Sequence, residues 1–260
     1  MSVIENDTVD RRMRVFDLEC ERALQGIWFL GDVHGEFGHI ENALMAAQRA
    51  EAFPKWIVFL GDIEIYLKSL REVLEPLIKK YPSLRFGFIF GYHDAASYTH
   101  WECLHDCGDA IAFHGKVVDL DGVRVAGLGG SFLGRVWAPP SPPKYGCKDE
   151  AMVRDPNAWR DGQRPIPKLN GAIYPSDFTA LAHQKADILI THDAPSCHQY
   201  GWRALDQLAR DLGVVRIFHA HTHDDQSEAY GAKREEIGFD ACAVGFRCIK
   251  NGLGEFVAVQ

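Results

Sequence analysis

The sequence predicts an α/β protein built around a sheet of buried, largely parallel strands. Apolar runs of strand length alternate with segments whose apolar residues recur at helical spacing. The strand-length runs are apolar at successive positions, so both of their faces are expected to be covered. Helices that alternate with such strands are typical of a sheet packed between helical layers.

The first half of the chain repeats a strand-and-helix unit. After an irregular or partly helical lead-in (1–25), we predict strands at 26–35, 56–62 and 84–94 and helices at 38–52 and 67–81. Pro76 is expected to kink or break the second helix. Asp32, Asp62 and Tyr92 follow one another at intervals of 30 residues, the length of a βαβ unit. Their strand ends should therefore meet at one edge of the sheet, where open α/β sheets place their sites.

The second half begins with short strands at 110–129 and a turn at Asp121–Gly122. Residues 134–171 contain seven of the twelve prolines and show no periodicity, which is typical of a functional loop or lid. The remaining elements are predicted as a helix, strand, helix, strand and hairpin, at 177–186, 187–195, 201–213, 214–225 and 242–259. Because no linker composition interrupts the chain, we expect a single domain over 1–260 with a Pro-rich insert or lid at about 134–171.

Composition excludes several classes of function. The chain has 28 basic and 36 acidic residues, a net charge of −8, and no basic run, which argues against a nucleic acid partner. Its apolar runs are shorter than the roughly 20 residues of a membrane span, and the N-terminus lacks the pattern of a secretory signal. Seven cysteines without a C-x-x-C pair are expected to be reduced thiols. We therefore expect a cytoplasmic protein that does not bind membranes.

Chemistry collects at five strand-to-loop junctions. Each presents Asp or His: Asp32 and His34; Asp62; His93 and Asp94; His192 and Asp193; His219, His221 and His223. Any one of these histidines alone is more often an ordinary core or surface residue, but five coincident junctions indicate a site. Mixed Asp and His ligands suit Zn, Mn or Fe. The D-x-H and H-x-H pairs are expected to place both side chains on one side of an extended segment, where they can chelate one ion or reach two.

The motifs D-x-H, GD, GxH[DE], a lone His and H-x-H, in this order from Gly31 to about Asp225, resemble those of the calcineurin-like metallophosphoesterases. The resemblance implies a four-layer α/β/β/α sandwich, a dinuclear metal centre and attack on phosphorus by a metal-bound hydroxide. It implies that one ion is held by Asp32, His34, Asp62 and His223, and the other by Asp62, His192 and His221. It also implies that His93 is the general acid and that Asp94 orients it. For the two divalent ions we expect Mn, with Fe, Zn and Ni as alternatives.

The third motif departs from the family pattern, because Tyr92 stands where a metal-binding Asn is usual. Tyr92 can coordinate as a phenolate and favour a ferric ion, swing away and leave a weak second metal, or cripple the site. We favour a weak second metal with reduced activity. Ala220 stands where the last motif of the family usually has Gly. Its methyl group would crowd the loop if the backbone needs positive φ there. Glu64 and Asp193 are each either hydrogen-bond acceptors for a ligand histidine or ordinary loop residues.

Two residues are candidates for substrate binding. Arg135 can contact phosphate as a bidentate fork or be a solvated loop residue. His198 either faces the pocket or has a surface or capping role. Cys197 and Arg203 formally fit the C-x5-R pattern of cysteine phosphatases, but bulky Tyr200 and Trp202 disfavour a phosphate cradle there.

The sequence thus favours a metal-dependent phosphoesterase acting on a small phosphorylated molecule or a phosphoprotein. The alternative is a catalytically weakened member of the same fold that binds phosphate ligands or a partner protein. A nuclease is the third and least favoured function, because the acidic chain offers nucleic acid little to bind.

Overall fold

The computed structural model describes residues 18–50, 52–160 and 164–257, in which two five-stranded sheets pack face to face. The first sheet contains β1 (Ile27–Leu30), β2 (Trp56–Leu60), β3 (Arg85–Ile89), β4 (Ile111–Ala112) and β12 (Ile249–Asn251), in the spatial order β12-β1-β2-β3-β4. Strand β12 is antiparallel to β1, and the other pairs are parallel. The predicted parallel order of the first three strands is confirmed.

The second sheet has the same mixed character. It contains β5 (Lys116–Leu120), β6 (Val123–Leu128), β9 (Ile188–Thr191), β10 (Arg216–His219) and β11 (Asp240–Ala243), in the order β11-β10-β9-β6-β5. Strand β5 forms the predicted hairpin with β6 and is antiparallel to it, whereas the other pairs are parallel.

Helices cover the outer face of each sheet. The first sheet packs against α2 (Gly38–Arg49), α3 (Leu70–Lys80) and α4 (Tyr98–His105). The second packs against α6 (Pro175–Ala182), α7 (Arg203–Leu212), α8 (Ser227–Tyr230) and α9 (Arg234–Ile237). One further helix, α1 (Leu18–Gln25), precedes β1. The α/β/β/α sandwich is therefore confirmed; the part of the predicted lead-in before residue 18 lies outside the described residues.

Successive side chains along a strand point to opposite faces of its sheet and so belong to two different hydrophobic cores. Phe29 of β1 stacks on Phe218 of β10 with ring centroids 4.2 Å apart, so both rings lie between the sheets. Trp28 and Leu30 point the other way and pack among the residues of α2 and α3. Strands β1, β2 and β9 are buried at every position and so bury both faces, which explains their continuous apolar sequences.

Helix α3 does not break at Pro76. Its N-terminus is closed by a capping box, in which Glu72 N–H donates to Ser69 Oγ and Ser69 N–H donates to Glu72 Oε2. Leu74 and Leu77 are buried on either side of the proline. Packing of this apolar stripe carries the helix through Pro76 to Lys80.

The hairpin predicted at 242–259 is wrong. Strand β11 lies at the edge of the second sheet and β12 at the edge of the first, so the chain crosses between the sheets after Ala243. A single antiparallel bridge follows, between Lys250 and Phe256. Local periodicity suggested a hairpin because it carries no information about which sheet edge a strand joins. Residues 258 and 259 lie outside the described part.

The Pro-rich insert is folded onto the body of the protein. It contains α5 (Lys148–Arg154), a ribbon of β7 (Trp159–Arg160) and β8 (Arg164–Pro165), and a 3₁₀ turn at Pro167–Leu169. Val136, Ala151 and Tyr174 contribute to a small separate core. These elements are too short to show periodicity in the sequence. No helix within the described residues is long and apolar enough to cross a bilayer.

Candidate metal centre

The carboxyl ends of five parallel strands bring the predicted Asp and His residues together. Asp32 and His34 follow β1, Asp62 follows β2, and His93 follows β3. From the second sheet, His192 follows β9, and His221 and His223 follow β10. The site therefore lies where the two sheets share one edge, as expected for parallel strands.

The side chains form two groups that share one carboxylate. The ligand atoms of the first group lie within 4.8 Å of one another, and so do those of the second. The first group is Asp32, His34, Asp62 and His223, and the second is Asp62, His192 and His221. This partition is the one that the family resemblance implied.

Left-handed backbone aims these side chains. Of the eight non-glycine residues with positive φ in the described chain, six belong to the loops of this site: Asp32, His34, Asp62, Glu64, His221 and His223. Each such residue costs on the order of 1–3 kcal/mol, which is typical of a functional constraint. The D-x-H and H-x-H pairs are thus turns and not the extended segments that we predicted. Ala220 is not among the residues with positive φ, so its methyl group causes no strain there.

Backbone contacts fix His192 with one nitrogen free for a ligand. Its Nδ1 lies 2.8 Å from the carbonyl oxygen of Leu60, to which it donates. Nε2 then faces Asp62 Oδ1 at 3.4 Å without hydrogen-bond geometry, and Asp32 Oδ1 is likewise buried without a hydrogen bond. Unpaired buried acceptors are expensive. A cation bound in each group would satisfy the buried atom of that group, so the residues present fit metal ions.

Glu64 orients a second histidine. Its Oε2 hydrogen bonds to Nδ1 of His34, which leaves His34 Nε2 facing the site, 3.2 Å from Nε2 of His223. Of the two alternatives for Glu64, the structure therefore supports the acceptor for a ligand histidine. Asp193 is buried, and its Oδ2 accepts the N–H of Phe132 at 2.8 Å, so it supports a neighbouring loop.

The electrostatics of the protein groups alone favour a bound cation. Burial, with the nearby charge of Asp62, raises the pKa of Asp32 to about 7. Burial opposes the charged form of His192, yet Asp62 and Asp32 outweigh it and raise the pKa of His192 to about 10. Burial also opposes ionisation of Asp62, but His192 and the His93 N–H hold its pKa below the ordinary value. A field that favours a proton here also favours a metal ion.

His93 and Asp94 occupy different environments. The His93 side chain is 46% exposed, its Nδ1 lies 3.8 Å from Glu64 Oε1, and its backbone N–H donates to Asp62 Oδ1. Asp94 is buried and accepts the backbone N–H groups of Glu64 and Gly91, both at 2.8 Å. Within the described chain, no hydrogen bond or ion pair joins Asp94 to the His93 ring. Asp94 instead ties together two of the metal loops.

Tyr92 contacts the insert. The Lys168 ammonium lies 3.3 Å from the centroid of the Tyr92 ring and donates to the Tyr92 carbonyl oxygen at 2.8 Å. Lys168 also feels the charges of Asp62, Asp94 and Glu64, although burial dominates and lowers its pKa. The insert therefore brings one cation to the rim of the site.

The two candidate substrate contacts are engaged elsewhere. Arg135 Nε donates to the buried carboxylate of Asp155 at 2.7 Å, within the insert. His198 is 3% exposed; its Nε2 faces Asp224 Oδ2 at 3.4 Å and its Nδ1 accepts the Tyr200 N–H. The structure brings neither side chain to the metal groups. Cys197 is buried, which raises the pKa of its thiol to about 11 and disfavours a nucleophilic role.

Three features of the site have no signal in the motifs. Phe246 lies in the segment that crosses between the sheets. The centroid of its ring is 5.5 Å from that of His34 and 5.1 Å from that of His223. Lys168 belongs to the insert, where no periodicity singles it out. Tyr200 and Trp202 line a cavity beside His221. In the sequence, these two bulky rings indicate only that a phosphate cradle is disfavoured.

Several known proteins are similar to this chain over most of its length. A Haemophilus influenzae protein named "Uncharacterized protein" is 30% identical over 234 residues, covering 89% of this chain and 96% of that protein. The crystal structure of TT1561 of Thermus thermophilus matches with a TM-score of 0.54 at 12% identity, covering 89% of this chain and 99% of that one. A second crystal structure matches with a TM-score of 0.51 at 10% identity, over 88% and 95%. At such identities these two structures support the fold alone.

The sequence match is broader than the metal motifs. The model of the calcineurin-like phosphoesterase family covers residues 26–225, from the start of β1 to the end of the H-x-H loop. Both ligand groups and the insert lie within that range. The chain therefore belongs to the calcineurin-like phosphoesterase family.

Proposed function

We propose that the protein is a metal-dependent phosphoric ester hydrolase with two divalent metal ions. The observation that carries the proposal is the sharing of the Asp62 carboxylate by two groups of Asp and His ligands. Asp32, His34 and His223 would complete one site, and His192 and His221 the other. Mn is the ion that we expect first, and Fe, Zn and Ni also suit this ligand set.

Two ions at such a site neutralise phosphate oxygens and make water a better nucleophile at neutral pH. The chain itself would supply the proton for the leaving group. His93 is half-exposed at the rim, its backbone is held by Asp62, and its ring faces Glu64 at 3.8 Å. These contacts suit a general acid whose ring reaches the substrate while its backbone stays fixed.

Tyr92 is proposed to weaken the second site. Among the described residues, Asp62, His192 and His221 would then remain as its ligands, since the Tyr92 ring packs under the Lys168 ammonium. A phenol with an ordinary pKa of about 10 is a poor substitute for a neutral amide oxygen. We therefore expect low occupancy of the second metal and reduced turnover.

The test is hydrolysis of a chromogenic phosphoester by the full chain with added Mn, Fe, Zn or Ni. Asp62→Asn should abolish metal-stimulated hydrolysis, because it removes the shared charge. Asp119→Asn is the matched control, since Asp119 is exposed in strand β5 and accepts the Gly122 N–H. No hydrolysis of monoesters or diesters with any of these metals would refute the proposal.

The position of Tyr92 also favours a second candidate, a phosphate-binding sensor on the same fold. Calorimetry with inorganic phosphate and the Mn-loaded chain separates the two functions. Tight binding without turnover of any ester supports the sensor, whereas rapid turnover eliminates it.

A further inference from the structure

We propose that the substrate carries a planar aromatic or heteroaromatic group, which binds in a cavity beside the second metal group. This inference rests on the proposed function and narrows its substrate class. The cavity has a volume of about 320 Å³ and includes His221 in its wall, so a phosphate bound at the ligand groups would lie at its mouth. The volume is at the lower end for small-molecule sites and suits a single ring system.

Four aromatic residues line the cavity: Tyr92, Phe132, Tyr200 and Trp202. They come from three separate segments of the chain, so their convergence is a property of the fold and not of local composition. Rings attract other rings through stacked or edge-to-face contacts beyond the area that they bury. A planar group is the ligand that such a lining recognises best.

One wall is rigid. Trp202 packs on Phe132 with centroids 5.0 Å apart, and Phe132 packs in turn on Trp137 at 5.3 Å. The backbone N–H of Trp202 donates to the Ala194 carbonyl oxygen at 2.9 Å. A Cβ at Gly201 would lie 1.7 Å from the Pro195 carbonyl oxygen, so this loop is closely packed. The indole is therefore preorganised, which lowers the entropy cost of binding.

The other wall is open to a ligand. Tyr200 is 74% exposed, although its backbone is anchored by the hydrogen bond to His198 Nδ1 at 3.2 Å. A large ring held at the rim of a site with its surface in solvent is available to stack on an incoming ring. Exposed aromatic side chains stack on bases in this way in nucleic acid complexes, with little dependence on which base is bound.

The charge of the cavity fits the uncharged part of a phosphoester. No Lys or Arg among the described residues lines it, so it offers no second site for phosphate. Its polar lining includes Ser131, Asp193 and Thr222. Thr222 Oγ1 already donates to Asp224 Oδ1, and Asp193 Oδ2 accepts the Phe132 N–H. Ser131 Oγ is buried without a hydrogen-bond partner among the described residues, so it is the group left to hydrogen bond to the edge of a heterocycle.

The experiment compares kcat/KM for adenosine 5′-monophosphate, phenyl phosphate and glycerol 3-phosphate, each as the monoester and as its methyl diester, with the Mn-loaded full chain. The variants are Tyr200→Ala, Tyr200→Phe and Phe256→Ala. Phe256 is 62% exposed but lies in a different cavity beside Trp28 and Gly26, at the other end of β1. For each substrate, kcat/KM of the variant is divided by kcat/KM of the parent chain. This ratio removes the difference in intrinsic reactivity between the esters.

We expect Tyr200→Ala to lower kcat/KM about tenfold or more for at least one ring-bearing ester, mainly through KM, and to leave glycerol 3-phosphate unchanged. Tyr200→Phe should retain the parent value, and Phe256→Ala should have no selective effect. A loss confined to the adenosine ester assigns a heterocycle, and a loss confined to the phenyl ester assigns a simple aryl group. Equal effects of Tyr200→Ala on ring-bearing and glycerol esters would overturn the inference. Hydrolysis of none of them would instead count against the proposed function.

Discussion

Gly91 lies so close to Asp62 that a Cβ atom at position 91 would come 2.3 Å from the Asp62 Oδ1 atom. The same Cβ would lie 2.5 Å from His192 Cε1. Both neighbours belong to the second candidate ligand group, and Asp62 belongs to both groups. Because residue 91 is a glycine, the loop that follows β3 can pass directly behind the shared Asp62 carboxylate.

Gly91→Ala should consequently displace Asp62 and lower turnover about 100-fold, the effect of a misplacement on the order of 1 Å in a catalytic site. Turnover with saturating Mn and metal content by elemental analysis are the measurements. Gly134→Ala is the control, because a Cβ there meets no atom within 4 Å. Parent-like activity in Gly91→Ala would contradict this account of the loop.

Glu64 is expected to set the affinity of the first metal site through His34. Glu64→Gln removes the charge that holds Nδ1 of His34, and loss of such a contact costs about 10- to 100-fold in metal affinity. Titration with Mn, followed by activity, measures the change. Glu41→Gln serves as the control, since Glu41 pairs with Lys80 on the surface. An unchanged metal affinity in Glu64→Gln would show that the contact does not support the ligand.

Tyr92→Asn should restore a neutral oxygen ligand to the second site. We expect bound metal to rise towards two ions per chain and turnover to rise with it. Elemental analysis before and after the substitution decides the outcome. Full two-metal occupancy in the parent chain, with no change in turnover on substitution, would contradict the proposed role of Tyr92.

Strand ends were the predictable part of this protein. Asp32, Asp62 and His192 each follow a continuous apolar run, and parallel strands necessarily bring such ends together. Local pattern could not place the tail, because β11 and β12 are equally compatible with the edge of either sheet. It also led to the expectation of extended D-x-H segments, whereas the backbone turns left-handed at both positions of each pair.

The supporting contacts were harder to predict. Lys168 and Phe246 reach the site from loops that have no period and no motif. Arg135 fitted a phosphate contact by residue type, but its partner is the buried Asp155, which only the folding of the insert brings near. Residue type thus identified the Asp and His residues that the structure brings together, but it did not identify the partner of a single arginine.

The Arg135–Asp155 pair should stabilise the insert in a pH-dependent way. The hydrogen bond from Arg135 lowers the pKa of Asp155 in the folded chain, although burial opposes this. The stabilisation is therefore present above the ordinary aspartate pKa of about 4 and is lost as pH falls towards the lower folded value. Asp155→Asn should lower the free energy of unfolding by about 1–3 kcal/mol at pH 7.

Urea unfolding at pH 7 and at pH 3.5 measures the difference in free energy of unfolding between the parent chain and Asp155→Asn. This difference should be smaller at pH 3.5. The exposed Asp119→Asn variant provides the comparison at both pH values. A penalty for Asp155→Asn that does not change with pH would exclude the ion pair as its source.

Metal removal should destabilise the whole fold, because the ligands come from both sheets. Asp32 and Asp62 arise from the first sheet and His192, His221 and His223 from the second, so a bound ion links the two. An ion present at 100 times its Kd stabilises the native state by about 2.7 kcal/mol, which corresponds to a rise in Tm of about 5–10 °C for a chain of this size. Calorimetric scans with Mn and after chelation measure the shift. Asp62→Asn should lose most of it, and a Tm that Mn leaves unchanged would exclude binding across the two sheets.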